Sequence, residues 1–569
     1  MATTSLASAA SNESFIGQIG DTNVALVGQT NGNNSQGTVQ VGKKNNAVTS
    51  QTNPVSPANS NKSGTGQFGI RNDSLAIQDG GNNTQGTLQF GVENKSVTTQ
   101  QSATGNKTNN SGTLQFGYQN QSTSAQIGGN NDATTVQGGG KNTSTTGQLT
   151  SATNSGKNDA TTAQFGWDNI SVTSQTSKGQ ANSGTRNGGT GGDNNSGVLQ
   201  SGYNNTALVT QNSVGTGLTG NNGSNNGSTA RAGVDNNSAV VQFGGKNLAT
   251  VTQDGTRKGT TTTASNDSFV GQFGWQNTAT VAQINGNNSQ GTLQFGNFNK
   301  ATTGQLTDDK GGNNGAFTLQ AGIGNEATTS QTSKGSSGWF NSASGADNSA
   351  ATLQFGKGNK AQTNQDASGI VASVFGIPTA VGGVDNNALT LQVGKGNIAT
   401  TTQFGGSVSL LPQSNDSATA QFGVQNIATV AQVNGGNVQG TIQAGYKNNA
   451  TTGQSTNALG LLPKQNAAMT IQAGAYNTAV TSQSIANPLS AGVNGSLTAQ
   501  FGKGNLATVT QADGGQTGLQ PMIGANLQAT VQVGVNNVAT TTQLASTSVS
   551  NTSVTAQFGV GNHATVVQK

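Results

Sequence analysis

The chain has 569 residues, of which 30% are hydrophobic and 8% charged, with 85 glycines, 7 prolines, no cysteine and a formal net charge of +4. So few large apolar residues cannot supply the cores of several conventional domains, and the shortage of charge and proline sets the chain apart from ordinary disordered sequence. The absence of cysteine removes any disulfide framework or thiolate chemistry, the scattered Lys and Arg form no basic stripe for nucleic acid, and no apolar run is long enough to span a membrane as a helix.

Residues 1–11 read as an N-terminal leader. This stretch lacks both the basic and the apolar region of a secretory signal, so a secreted form is expected to be a mature chain with a start Met added. From Asn12 onward one frame recurs 20 times, anchored on a Gln taken as position 0. Asn stands at −6, Gly at +2, Asn at +5, Ala or Ser at +7 and Gln at +11 in every copy. The first copy has Asn12, Gln18, Asn23 and Gln29; a central one Asn288, Gln294, Asn299 and Gln305; the last Asn551, Gln557, Asn562 and Gln568. Residues 12–569 are therefore a single repeat domain, in which each half-repeat runs from Asn to Gln.

Successive anchors lie 22 to 42 residues apart, and every insertion falls between the second Gln and the next Asn. The turn inside a repeat never changes length. The expected fold is an all-β solenoid of about twenty strand-turn-strand rungs, with two seven-residue strands per rung, a four-residue turn and insertions on one edge. Segments 176–193 and 212–235 read as Gly/Ser/Asn/Thr loops. Segment 366–385, with Ile370, Val371, Val374, Phe375, Ile377 and Pro378, and the Leu410-Leu411-Pro412 and Leu461-Leu462-Pro463 triplets are greasier, and read either as loop packing or as docking on the wall or a neighbour.

Strand side chains alternate between faces. The face carrying Asn −6, Gln 0, Asn +5 and Gln +11 otherwise holds only small residues or amides and is assigned to the interior, where like amides bond from rung to rung at about 4.7–4.8 Å. Gly +2 suits a tight corner. The opposite face carries Phe at +1 in eleven repeats: Phe68, Phe90, Phe116, Phe165, Phe243, Phe273, Phe295, Phe355, Phe422, Phe501 and Phe558. An outward apolar stripe of this kind marks either a lateral interface or a surface covered by the insertions. No polar or irregular cap flanks the first or last repeat, so head-to-tail stacking into a filament is expected. Twenty rungs at about 4.8 Å imply roughly 95 Å along the axis.

The frame resembles the curlin repeat of bacterial curli fibres, through Gln242, Gly244, Asn247, Ala249 and Gln253, or Gln500, Gly502, Asn505, Ala507 and Gln511. The resemblance covers residues 12–568 and departs from the family at the leading position, which is Asn here rather than Ser, in repeat number and in the long insertions. It implies a secreted functional amyloid of the biofilm matrix that polymerises with itself, adheres to host or abiotic surfaces, and uses a nucleator and an outer-membrane secretion pore. A non-polymerising β-solenoid adhesin whose inserted loops bind a ligand is the alternative. No enzyme, cofactor or metal site is expected. Acidic residues are dispersed and the single histidine, His563, sits at a turn. Asp has no calcium-binding periodicity, and outward Thr pairs such as Thr250/Thr252, Thr400/Thr402, Thr508/Thr510 and Thr540/Thr542 are too sparse for an ice-binding face.

Overall fold

A computed structural model describes residues 11–569 apart from 54–58, 103–106, 152–154, 180–189, 216–232, 257–263, 309–310, 338–341, 375–376, 407, 410–412, 457–458, 461–463, 487–491, 514–523 and 546–549. Most of the leader, Phe375, both Leu-Leu-Pro triplets and the middles of 176–193 and 212–235 thus lie outside the described residues. The chain is a β-solenoid of twenty two-strand rungs with no helix among the described residues. It divides into two compact units, Met1–Gly286 with rungs 1–10 and Asn287–Lys569 with rungs 11–20.

Within each unit the ten first strands form one parallel sheet and the ten second strands another. Pairing is strictly in register, so equivalent frame positions stack: Gln137 on Gln164, Gly139 on Gly166, Ser144 on Ser171. Strand faces alternate as the period of two requires. In rung 2 the residues Asn34, Gln36, Thr38 and Gln40 of one strand and Ala47, Thr49 and Gln51 of the other are buried, and the residues between them are not.

The strands are longer than the frame predicts. In rung 2 they run Asn34–Lys43 and Asn46–Asn53, leaving only Lys44 and Asn45 between them. The ladder continues through Gly +2 and the residue after it, because the bend is made by backbone conformation within the ladder. Gly +2 has φ between 99° and 129° in all twenty rungs, and the residue at +4 has φ between 53° and 68°. The glycine is required for a reason the sequence does not reveal. A Cβ on Gly42 would lie 1.9 Å from the carbonyl oxygen of Gly69 in the next rung. The clash is with the stack, and not with the corner of its own rung.

Where the polar interior gives way to apolar residues, in rungs 8–10, Val198, Val209, Val240, Val251, Val270 and Val281 close on Ala207, Ala249 and Ala279 as a small dry core. Insertions leave from the expected edge. One forms a hairpin, Ile370–Val374 against Ile377–Val381, and two others meet as a short parallel pair, Val408–Ser409 with Leu459–Gly460.

Candidate functional site

The interior amides form four ladders per unit, two of Gln and two of Asn. Gln137 Nε2 donates to Gln164 Oε1 at 2.8 Å, and Gln164 Nε2 to Gln200 Oε1 at 2.8 Å, always toward the following rung. Nε2 of an interior Gln also donates to a backbone carbonyl, as Gln164 does with Thr143 at 3.0 Å. The Asn ladders run the other way. Asn158 Nδ2 donates to Asn131 Oδ1 at 2.9 Å, toward the preceding rung, and Asn169 Nδ2 to Asn142 Oδ1 at 3.0 Å. Asn at +5 also closes the turn, Asn142 Nδ2 donating to the Gly138 carbonyl of its own rung at 3.0 Å, and ties it to the next rung: the Asn142 oxygen accepts from the Asn169 backbone N–H at 3.1 Å, and Asn142 Nδ2 donates to the Gly166 carbonyl at 3.1 Å. Each amide thus meets donors and acceptors on both sides, which is what allows a buried polar column to exist.

The ladder residues singled out from the frame take these places. Gln294 and Gln305 are buried and donate to Gln320 and Gln331, each at 2.8 Å, while Asn288 and Asn299 accept from Asn314 at 3.0 Å and Asn325 at 3.1 Å. In rung 1, Gln18 donates to Gln40 at 2.6 Å and Gln29 to Gln51 at 2.8 Å, and Asn12 and Asn23 accept from Asn34 and Asn45, each at 3.1 Å. In rung 20, Gln557 and Gln568 accept from Gln532 and Gln543, each at 2.7 Å, while Asn551 and Asn562 donate to Asn526 and Asn537, each at 2.9 Å. The outer edges of rungs 1 and 20 therefore carry opposite halves of every ladder. Gln557 and Asn551 are nonetheless buried, and Gln557 Nε2 also donates to the Val538 carbonyl at 2.9 Å.

All eleven phenylalanines sit on the outer face, and none of them is buried. Phe68, Phe90 and Phe116 stack as a run with centroids 5.0 and 5.2 Å apart, and Phe243 stacks on Phe273 at 5.5 Å. Phe165 leans toward Gly138 in the rung before it. Phe355, Phe422, Phe501 and Phe558 have only Ala or Val at the same position of the paired neighbouring strands.

Two features lie outside the frame reading. Lys464 is buried in the second unit, where burial lowers its pKa to about 8 against the opposing charge of Asp513. The turn position +3 is assigned no role by the repeat, yet its column alone reads Tyr, Gly, Trp, Tyr, Gly, Trp over rungs 5–10. Among the described residues no group of three or more His, Cys, Asp or Glu could hold a metal ion, and no helix is long and apolar enough to cross a membrane. No family model matches the chain, and a search of curated proteins finds no significant relative.

Proposed function

We propose that this chain is the structural subunit of an extracellular, curli-like amyloid fibre of a bacterial biofilm matrix. It polymerises by head-to-tail stacking of rungs and serves adhesion and surface colonisation. The observation that carries the reading is the self-complementarity of a rung. Gln donates forward and Asn donates backward, so every rung edge offers both donors and acceptors, and any leading edge fits any trailing edge in register. An outer edge of this kind is a template for another copy, and the contact is heterologous and non-closing, which gives filaments. A curli-type nucleator and an outer-membrane secretion pore are the partners this reading expects.

The test is electron microscopy and fibre diffraction of the purified chain at neutral pH. Unbranched filaments with a meridional reflection near 4.7–4.8 Å are expected. Thr555→Lys, which places an ammonium on the inner face of the last rung, is expected to stop elongation. Soluble particles that never elongate would overturn the fibre reading and favour a surface adhesin acting through its insertions.

A further inference from the structure

The turn edge of the first unit carries a second, unrelated pattern. At +3, rungs 5 to 10 present Tyr118, Gly140, Trp167, Tyr203, Gly245 and Trp275. The four aromatic rings are 38–43% exposed, whereas the two glycines between them are buried. The glycines are seats. A Cβ on Gly140 would lie 2.4–2.6 Å from three successive carbons of the Trp167 six-membered ring, and one on Gly245 would lie 2.1–2.8 Å from the same three of Trp275. Near-equal distances to three neighbouring atoms put the glycine beneath the face of the ring and not at its edge. Each indole therefore lies with one face on the wall, and over the Trp275 ring stands Lys246 Nζ from the polar row, 5.6 Å from the centroid. The Tyr118 ring lies within 22° of the Trp167 plane, with centroids 6.4 Å apart. The Tyr-Gly-Trp tile then repeats three rungs later, about 14 Å along the axis.

A polar row runs beside the tiles at +4: Gln119, Lys141, Asp168, Asn204, Lys246 and Gln276, all with φ of 55–56° and so presented alike. Side chains are disfavoured in this left-handed conformation. Five of the ten rungs in the second unit relieve it with glycine (Gly324, Gly358, Gly396, Gly504, Gly561), and none in the first unit does. Retained strain of this kind points to a use for the side chain. The row has two cations, one anion and three neutral hydrogen-bonding groups, which suits an uncharged ligand better than a polyanion.

We propose that this edge binds a linear, uncharged, β-linked glucan. A β-linked pyranose chain is a flat ribbon whose ring faces are apolar C–H surfaces and whose rims carry hydroxyls. The faces would lie on the exposed aromatic rings and the hydroxyls would meet the +4 amides and charges. The inference goes beyond the fibre reading and does not depend on it, since all six rungs belong to one unit.

The experiment is calorimetric titration of the freshly purified full chain with a β-1,4-linked glucose hexamer at two salt concentrations, with circular dichroism to establish folding. Saturable, salt-insensitive binding is expected, weakened at least tenfold in Trp167→Ala/Trp275→Ala. A second variant, Gly140→Ala/Gly245→Ala, keeps both indoles but fills their seats, and is expected to weaken binding comparably. No saturable binding, or binding unchanged in either folded variant, would overturn the proposal. So would tighter binding of a single-stranded oligothymidylate that falls steeply with salt, which would assign the strip to nucleic acid. Self-association that is lost in the tryptophan variant while the hexamer does not bind would assign it to a second copy.

Discussion

Gln392 Nε2 donates to Gln421 Oε1 at 2.8 Å, from one rung to the next. The Asn ladder of the same two strands runs in reverse, Asn415 Nδ2 to Asn386 Oδ1 at 2.8 Å. The two columns therefore carry opposed dipoles. Gln421→Leu is expected to do more than remove one bond. It leaves the Gln392 N–H without its acceptor, and Gln443 Oε1 and the Ile398 carbonyl without their donor. At about 1–3 kcal/mol for each of these three stranded groups, a loss of roughly 3–9 kcal/mol is expected in the surrounding rungs. Hydrogen exchange of amides in rungs 14–16 reads it. Protection unchanged from that of the parent chain would mean that the amide ladder does not hold the stack.

Glycines of positive φ are not equivalent here. Gly394 has φ 124°, and a Cβ on it would lie 1.9 Å from the carbonyl oxygen of Gly423; Gly396, two residues on, has φ 65°, and a Cβ there would meet only the end of a flexible side chain, Gln425 Cγ, at 3.5 Å. Gly396→Ala should therefore cost only the left-handed penalty of about 1–2 kcal/mol. Gly394→Ala should exceed it and break the local stack, because the backbone of the next rung must move. Equal losses in urea unfolding of the two variants would sink the stacking explanation.

Some interior hydroxyls are a liability. Thr541 Oγ1 is buried without a hydrogen-bond partner, and in register Thr541 lies between Val509 and Val566. Thr541→Val removes an unsatisfied polar atom at nearly constant shape. The variant is expected to be more stable than the parent by about 1 kcal/mol, as read by the denaturant midpoint, and a destabilised variant would reveal a bond for this hydroxyl in solution.

The rung was legible in the sequence because its constraints are repeated twenty times at fixed spacing. A buried Gln needs a Gln above and below it, so the column is visible without any structure. The same logic explains what was hidden. The role of Gly +2 lies in a contact between rungs, Gly42 against Gly69, and a frame read along one rung gives only the corner. The strands outrun their predicted seven residues because Gly and its successor bend while staying paired, as Gly166 and Trp167 do with Gly202 and Tyr203. The Tyr-Gly-Trp tiles sit in a column that is variable over the whole chain. Their meaning depends on a ring from one rung lying across its neighbour, which no single repeat encodes. Lys464 belongs to an insertion, where no periodicity exists to read.

That lysine gives the chain a pH dependence of predictable sign. Burial holds the Lys464 ammonium down from 10.5 to about 8, with the Asp513 charge opposing the shift. In the unfolded chain the group titrates at its ordinary value, so between pH 8 and 10.5 the unfolded state binds more protons than the folded one. Stability should therefore rise with pH across this window. Below it the buried charge costs folding a constant amount, at most roughly 3 kcal/mol for a shift of this size. Lys464→Met, which keeps the aliphatic bulk, is expected to be more stable than the parent at pH 7, and the difference should shrink toward zero as the pH approaches 10.5. Urea unfolding of both chains at pH 7 and pH 10 measures it. A stability difference that is the same at both pH values would mean that packing, and not the desolvated ammonium, sets the effect of the substitution.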